Sequence, residues 1–285
     1  MRLRLTFKTL LITLLLSLLV GCSTIKVSYR FLDNAIRWKI DDYVSLTGPQ
    51  SVTLNRNIDK FHFWHQSTQL PIYADFMAKK AVQFEQATLS PQEVSRIYDE
   101  FFDLAMDSLD ELVPVITTMI FSLDEKQIPS VINNIDREMT KDLNEDFAKS
   151  PQQQINKRQG RMIKRVAKLI GRLSQAQASL IADWAKATLP NRALREQRQK
   201  RLIGTVTEML NNRSNPEQFN RDLLAQLKTQ ERYATAPEKQ SYQKRKQLTL
   251  QLMSDLFNSL TPLQKQNLIA SVKKYQSDFQ SLMIK

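Results

Sequence analysis

The sequence predicts an all-α fold, an elongated multi-helix bundle of about ten helices. Three observations predict it. Apolar residues recur at three- and four-residue spacing along most of the 285-residue chain, and no stretch alternates in the period of two of a half-buried strand. Ser, Thr or Asp followed three residues later by Gln or Glu marks helix starts again and again. Only 5 residues are Gly, too few for a fold built on tight turns or phosphate-cradling loops.

The N-terminus is set apart from this pattern. Arg2, Arg4 and Lys8 precede an apolar run from Leu10 to Val20, too short to span a bilayer comfortably. The run ends in Leu19-Val20-Gly21-Cys22, which resembles the bacterial lipobox. The resemblance implies that residues 1–21 are a cleaved lipoprotein signal peptide. It implies too that Cys22 carries diacylglycerol on its thiol and a further acyl group, such as palmitate, on its amino group. Ser23 after the Cys implies an outer-membrane lipoprotein facing the periplasm. Such a Cys22 is a thioether, neither nucleophile nor metal ligand, and as the chain's only Cys it leaves no disulfide framework. Residues 22–28 read as the lipidated Cys and a short tether, with a single all-helical domain over 29–285, divisible into sub-lobes 29–88 and 89–285.

The helices follow in order. Tyr29, Leu32, Ile36, Ile40 and Tyr43 share one face, and Thr47-Gly48-Pro49 stops that segment. Ser51 to about Gln66 is the second helix, broken before Leu70-Pro71, and Pro71 to about Gln86 the third. Ser90-Pro91-Gln92-Glu93 is a capping box that opens a long helix toward Phe121, with a kink expected near Pro114. Asp124…Gln127, Ser150…Gln153, Ser174…Gln177 and Thr261…Gln264 repeat the box, each of the first, third and last preceded by Leu. Further helices are expected over about 124–148, 151–172, 174–188, 191–212, 216–232, 238–259 and 261–283.

Leu173-Ser174-x-x-Gln177 and Leu260-Thr261-x-x-Gln264 look like the LTxxQ motif of Spy-type periplasmic chaperones, and a Leu plus a capping box gives the same letters. Tyr29-Arg30-Phe31-Leu32-Asp33, Trp38, Asp41-Asp42-Tyr43, Trp64-His65 and Leu70-Pro71 are similar to a Gram-negative lipoprotein family of unknown function. That family has a lipobox, a Tyr-rich first helix and a WH…LP segment. The likeness covers about residues 22–75, implies an all-helical envelope lipoprotein, and supplies no catalytic residues.

The only two histidines, His62 and His65, lie three apart on one helix face, with Asp59 three residues before His62. Two His and a carboxylate suit a zinc or iron site, the basis of a metal-dependent hydrolase reading. Phe61, Phe63 and Trp64 around them favour aromatic packing instead. Asp33, Arg37 and Asp41, four apart, suit a surface ion-pair ladder, and adjacent Asp41 and Asp42 diverge by about 100°. No nucleophile elbow, Walker loop or dinucleotide fingerprint is present, so no catalysis and no cofactor are expected.

Charge is segregated. The formal charge is +12, or +9 without the three cations of the signal segment. Residues 92–147 hold 14 acidic and 4 basic side chains, whereas 151–215 hold 14 basic and 3 acidic. In the basic block Lys157, Arg158, Arg161, Lys164, Arg165, Lys168 and Arg172 crowd one side of an amphipathic helix whose other side is Met162, Ile163, Val166, Leu169 and Ile170. Two accounts are open. The cations meet the acidic helices of the same chain, at about 0.3–0.5 kcal/mol per exposed pair. Alternatively, they meet anionic lipid, peptidoglycan or an envelope protein. Nucleic acid is disfavoured by the compartment. The expected role is therefore a periplasm-facing binding or scaffold module, with a membrane-tethered chaperone as the alternative within binding.

Overall fold

The computed structural model describes residues 24–86, 88–228 and 234–284. Among these it is all-α, without a strand. Twelve helices run α1 (Thr24–Arg30), α2 (Leu32–Asp41), α3 (Gly48–Trp64), α4 (Leu70–Gln83), α5 (Pro91–Phe121), α6 (Ile128–Phe147), α7 (Pro151–Ile170), α8 (Gln175–Ala187), α9 (Arg192–Asn211), α10 (Pro216–Lys228), α11 (Ala236–Asn258) and α12 (Pro262–Leu282). No described helix is long and apolar enough to cross a membrane.

Of three departures from the sequence reading, two have local causes. The first predicted helix is split at Phe31 (φ −98°, ψ 5°), and α1 occupies residues expected to be tether. Leu70-Pro71 does not break the chain: a π turn, His65–Gln69, joins α3 to α4. Pro71 has no N–H to give and its ring crowds the carbonyl four residues back. The wider turn, with the Leu70 N–H on the His65 carbonyl, lets the helix run through. Pro114 leaves α5 unbroken over 31 residues, and Thr118 Oγ1 donates to the Pro114 carbonyl at 2.9 Å.

The packing gathers into three apolar clusters. The first joins Val44, Ile120, Leu123, Ile128, Val131, Leu210 and Phe219, where the ends of α5, α6, α9 and α10 meet the α2–α3 turn. The second joins Met162, Ile181, Leu252 and Leu256 from α7, α8 and α11. The third joins Leu89, Val94 and Phe257 between α5 and α11. Leu89 with Val94, and Leu123 with Ile128, lie in shared clusters, as the hydrophobic-staple spacing predicts. α12 packs along α4 and against α7, while α5 contacts α3, α10 and α11.

The helix starts are where the fold is tied. Ser90, Ser150, Ser174 and Thr261 each accept from the N–H three residues on, as their boxes predict. Gly48-Pro49, read from sequence as a stop, is equally a start. Leu46-Thr47-x-x-Gln50 is another box, with the Thr47 N–H on Gln50 Oε1 at 2.9 Å. Thr235…Glu238 is one more.

Four of these glutamines then pair across the molecule. Gln50 Nε2 donates to Gln127 Oε1 (2.9 Å) and to the Ser122 carbonyl (2.6 Å). Gln127 Nε2 returns the pattern to Gln50 Oε1 (3.1 Å) and the Ser45 carbonyl (2.7 Å). Gln177 and Gln264 do the same. Their amides exchange bonds of 2.9 Å each way, and they reach the Ser259 carbonyl (3.2 Å) and the Arg172 carbonyl (2.8 Å). In all four cases the carbonyl reached lies two residues before the residue whose N–H the partner's Oε1 takes: Thr47, Asp124, Ser174 or Thr261. Each Oε1 also takes the N–H three residues before it, at 2.8–3.0 Å. That contact fixes the amide's orientation, since a flipped NH2 would face an N–H. The letters Leu173…Gln177 and Leu260…Gln264 are thus accounted for by one reciprocal clasp.

Gln177 is 1% exposed and Gln264 7%. Gln177→Ala should destabilise the protein by about 1–3 kcal/mol, because it strands buried partners. In a double-mutant cycle with Gln264→Ala by denaturant unfolding, the pair should show coupling of at least about 0.5 kcal/mol. Additive losses would dissolve the clasp.

Candidate functional site

Cys22 and the signal segment lie outside the described residues. The structure resolves the other sequence candidates into two places and adds a third.

The histidines come first. His62 Nδ1 stands 2.7 and 2.9 Å from the two oxygens of Asp33, not near Asp59. Asp59 pairs instead with Arg37 at 3.2 Å, and Lys39 takes Asp42 at 3.0 Å. The Asp33–Arg37–Asp41 ladder therefore does not form: turning α2 against α3 offers Asp33 and Arg37 partners across the helix pair. His65 Nδ1 is 2.8 Å from the Tyr29 hydroxyl and lies among the rings of Phe61, Trp64 and Tyr73. Among the described residues no group of three or more His, Cys, Asp or Glu is placed to hold a metal. The grouping of Asp59 with both histidines is thereby corrected. Burial, and then neighbouring His62, pull the His65 pKa down to about 4, so its imidazole is neutral and can accept from Tyr29. Burial and nearby Asp33 push the Tyr29 hydroxyl well above its usual range, keeping it a donor. α2 buries no side chain completely, so these polar and aromatic contacts hold the N-terminal helices.

The basic helix α7 is the second place. Met162 and Ile170 are buried, and Ile163 and Val166 pack on the second cluster. Of the seven cations, Lys157 meets Asp146 at 3.1 Å. Arg158 lies over the Trp184 ring at 5.0 Å and donates to Thr188 Oγ1 at 2.7 Å. Burial, then Arg161 and Arg245, disfavour its charge. Arg161, Lys164, Arg165, Lys168 and Arg172 are exposed, and among the described residues none forms an ion pair. The neutralisation expected from the sequence is partial, shared by Lys157 of α7, Arg195 of α9 and Arg213 beyond α9. Arg195 meets Asp146 at 2.9 Å, its hydrogen bond and that of Lys157 holding the carboxyl below its usual range against burial. Gln199 reaches Asp136, and Arg213 beyond α9 meets Glu125. The acidic α5 pairs with α10 and α11 through Asp110–Lys228 and Asp99–Lys246, both 2.7 Å.

Sequence reasoning missed the third place. A cleft of about 660 Å³ opens between α5, α9 and α11. Tyr98, Phe102, Met106, Leu194 and Leu227 supply its apolar lining, and Arg195, Arg198, Arg201, Lys228, Lys239 and Arg245 its cations, with Glu238 the one carboxylate among the described residues. Arg201 Nη1 bonds Glu238 Oε2 at 2.7 Å. Burial raises the Glu238 pKa, but the Arg201 and Thr235 bonds outweigh it and the net shift is downward. The signal was in the sequence as Arg195, Arg198 and Arg201 along one turn-and-a-half of helix; the opposing Tyr98 and Phe102 are about a hundred residues away and nothing local pairs them.

These features define an all-α protein with capped helix starts tied in pairs, a one-sided cationic helix and a cationic, aromatic-lined cleft. The chain belongs to the family of unknown function DUF6279, which matches residues 42–231, about two thirds of its length. Asp42, Tyr43, Trp64, His65, Leu70 and Pro71 lie inside the match, whereas Tyr29 to Asp41 precede it. No curated protein sequence and no solved structure matches the chain.

His65 supplies a pH test. Its folded pKa is below its unfolded value, so the folded protein takes up a proton later than the unfolded chain as pH falls. Its contribution is complete above about pH 6.5 and is lost progressively toward about pH 4. Melting temperature should fall across that window by more in the parent than in His65→Gln. Parallel curves for the two proteins would contradict the assignment.

Proposed function

We propose that the protein is an outer-membrane lipoprotein whose periplasmic domain is a binding module for an acidic protein partner. The cleft between α5, α9 and α11 carries the reading: six cationic side chains and one carboxylate surround a floor of Tyr98, Phe102 and aliphatic residues. Arg and aromatic side chains are those that most often dominate protein interfaces, and a surplus of cations selects an acidic counterpart. Lys239 and Arg245 are exposed, and no carboxylate bonds either among the described residues. Anchoring rests on the lipobox-like Leu19-Val20-Gly21-Cys22 and its signal-like prelude. No step of catalysis is assigned to it, because the histidine network is spent on holding α1 and α2.

Two measurements test the two halves of this reading. Growth with labelled palmitate should mark the full chain, and Cys22→Ser should abolish both the label and membrane fractionation. A photo-crosslinking residue at Lys239 should capture one discrete protein in intact cells, with an acidic surface. Arg245→Glu should reduce that adduct roughly tenfold, as expected for about 1.4 kcal/mol of lost or reversed charge contact. A crosslinker at exposed Gln152 on α7 should capture none. Equal capture from both positions, or an adduct indifferent to Arg245, would remove the cleft as the binding site.

A further inference from the structure

We infer that the outward face of α7 is a membrane-docking surface that lays the domain on the anionic phospholipid leaflet bearing its own anchor. The inference rests on the lipoprotein reading for that leaflet's identity, and on the structure for the surface. Lys157, Arg161, Lys164, Arg165 and Lys168 fall within about 100° of helix arc over about 16 Å. Arg172 follows directly beyond the helix end. The apolar residues Met162, Ile163, Val166 and Ile170 occupy the opposite side and are turned into the protein. Five of these six cations have no carboxylate among the described residues, in a molecule where Arg195, Arg201, Arg213, Lys228 and Lys246 all have one. A band of cations, with no aromatic or aliphatic side chain among the named positions, complements a plane of negative charge better than a shaped apolar partner.

The helix that follows the anchor in sequence, α1, is attached near the end of α7. Gln264, Asn267 and Ser271 of α12 bond to carbonyls at the end of α7: Arg172, Ile170 and Leu169. Asp278 of α12 takes Lys26 of α1 at 3.6 Å. Positions 264, 267, 271 and 278 fall within about 60° of arc on α12, and seven residues separate the two attachments, about 10 Å. α1 and the end of α7 are therefore neighbours on one flank of α12. Cys22 lies four residues before Lys26, so the acylated residue is at most about 14 Å of chain from that flank. A leaflet holding the anchor is within reach of the band without unfolding any element.

Vesicle co-sedimentation tests this with the chain from residue 22 carrying Cys22→Ser, so that binding does not depend on lipidation. Its core is complete, since all three apolar clusters lie between Ile40 and Leu268. The protein should bind vesicles of mixed phosphatidylglycerol and phosphatidylcholine, should ignore pure phosphatidylcholine, and should release as salt rises from about 50 to about 300 mM. Lys164→Gln with Lys168→Gln should lower the partition coefficient about 30-fold. Lys200→Gln with Lys244→Gln removes the same charge from exposed positions on α9 and α11 and should change it less than about twofold. Equal losses in the two pairs, binding indifferent to salt, or retention by soluble polyglutamate without vesicle binding would each overturn the inference. Loss of palmitate labelling in the full chain would instead overturn the anchor alone.

Discussion

The reciprocal glutamine clasp is the constraint on which the rest of this fold depends. A helix start leaves four N–H groups without intrahelical partners. Here Oε1 of a glutamine three residues into the helix answers the N–H of the cap residue itself, and the leftover NH2 bridges to a second helix start built in the same way. All the polar capacity at the junction is consumed, so the joint can be buried, and both amides face the only orientation that satisfies it. The first clasp ties the entry of α3 to the turn before α6, inside the cluster of Val44, Leu123 and Ile128. The second ties α8 to α12. The first joint thus sits within one apolar cluster, and the second ties α8 of the second cluster to α12, whose Leu268 packs on the third.

Much of this was legible locally and little of it globally. Boxes at Ser90, Ser150, Ser174 and Thr261 were readable because a cap and its N3 partner are three residues apart. Their pairing was not, because Gln50 and Gln127 are 77 residues apart and Gln177 and Gln264 are 87. Leu46-Thr47-Gly48-Pro49-Gln50 shows how one segment carries two meanings: Gly-Pro ends a helix and Pro begins one, and only the Gln decides which. The π turn escaped for a related reason. Proline after Leu70 forbids one hydrogen bond, and the chain can answer by stopping or by widening one turn. Aromatic packing around His65 and the burial of Gln69 at 5% exposure favour the second, and both are tertiary facts.

The site residues divide along the same line. His62 and His65 were conspicuous as the only histidines, and their side-by-side placement on one face was readable from spacing. Their partners were not Asp59 but Asp33 and Tyr29, supplied by helices that fold back from the N-terminal side. Charge segregation was readable as two opposed blocks, but not which cations would be neutralised. α9, packed on α6, meets Asp146 through Arg195; α7, packed on α8 and α12, reaches that residue through Lys157 and leaves its other band cations exposed. Helix pairing, not composition, decides which part of a basic block is left to act.

That sorting assigns separate work to the two cationic regions. Around the cleft, Arg195, Arg201 and Lys228 are held by Asp146, Glu238 and Asp110, so their guanidinium and ammonium groups are positioned, and each retains hydrogen-bonding capacity beyond its carboxylate. Such groups favour a partner of defined shape, because little side-chain freedom remains to be lost on binding. The α7 cations are the reverse: exposed, free to move on long stems and arranged as a band. They suit a surface that is charged but has no fixed pattern, since a mobile lipid headgroup adjusts to the cation. Arg158 marks the division between the two, stacked on Trp184 at the inner edge of α7, where burial and then the charges of Arg161 and Arg245 disfavour its own.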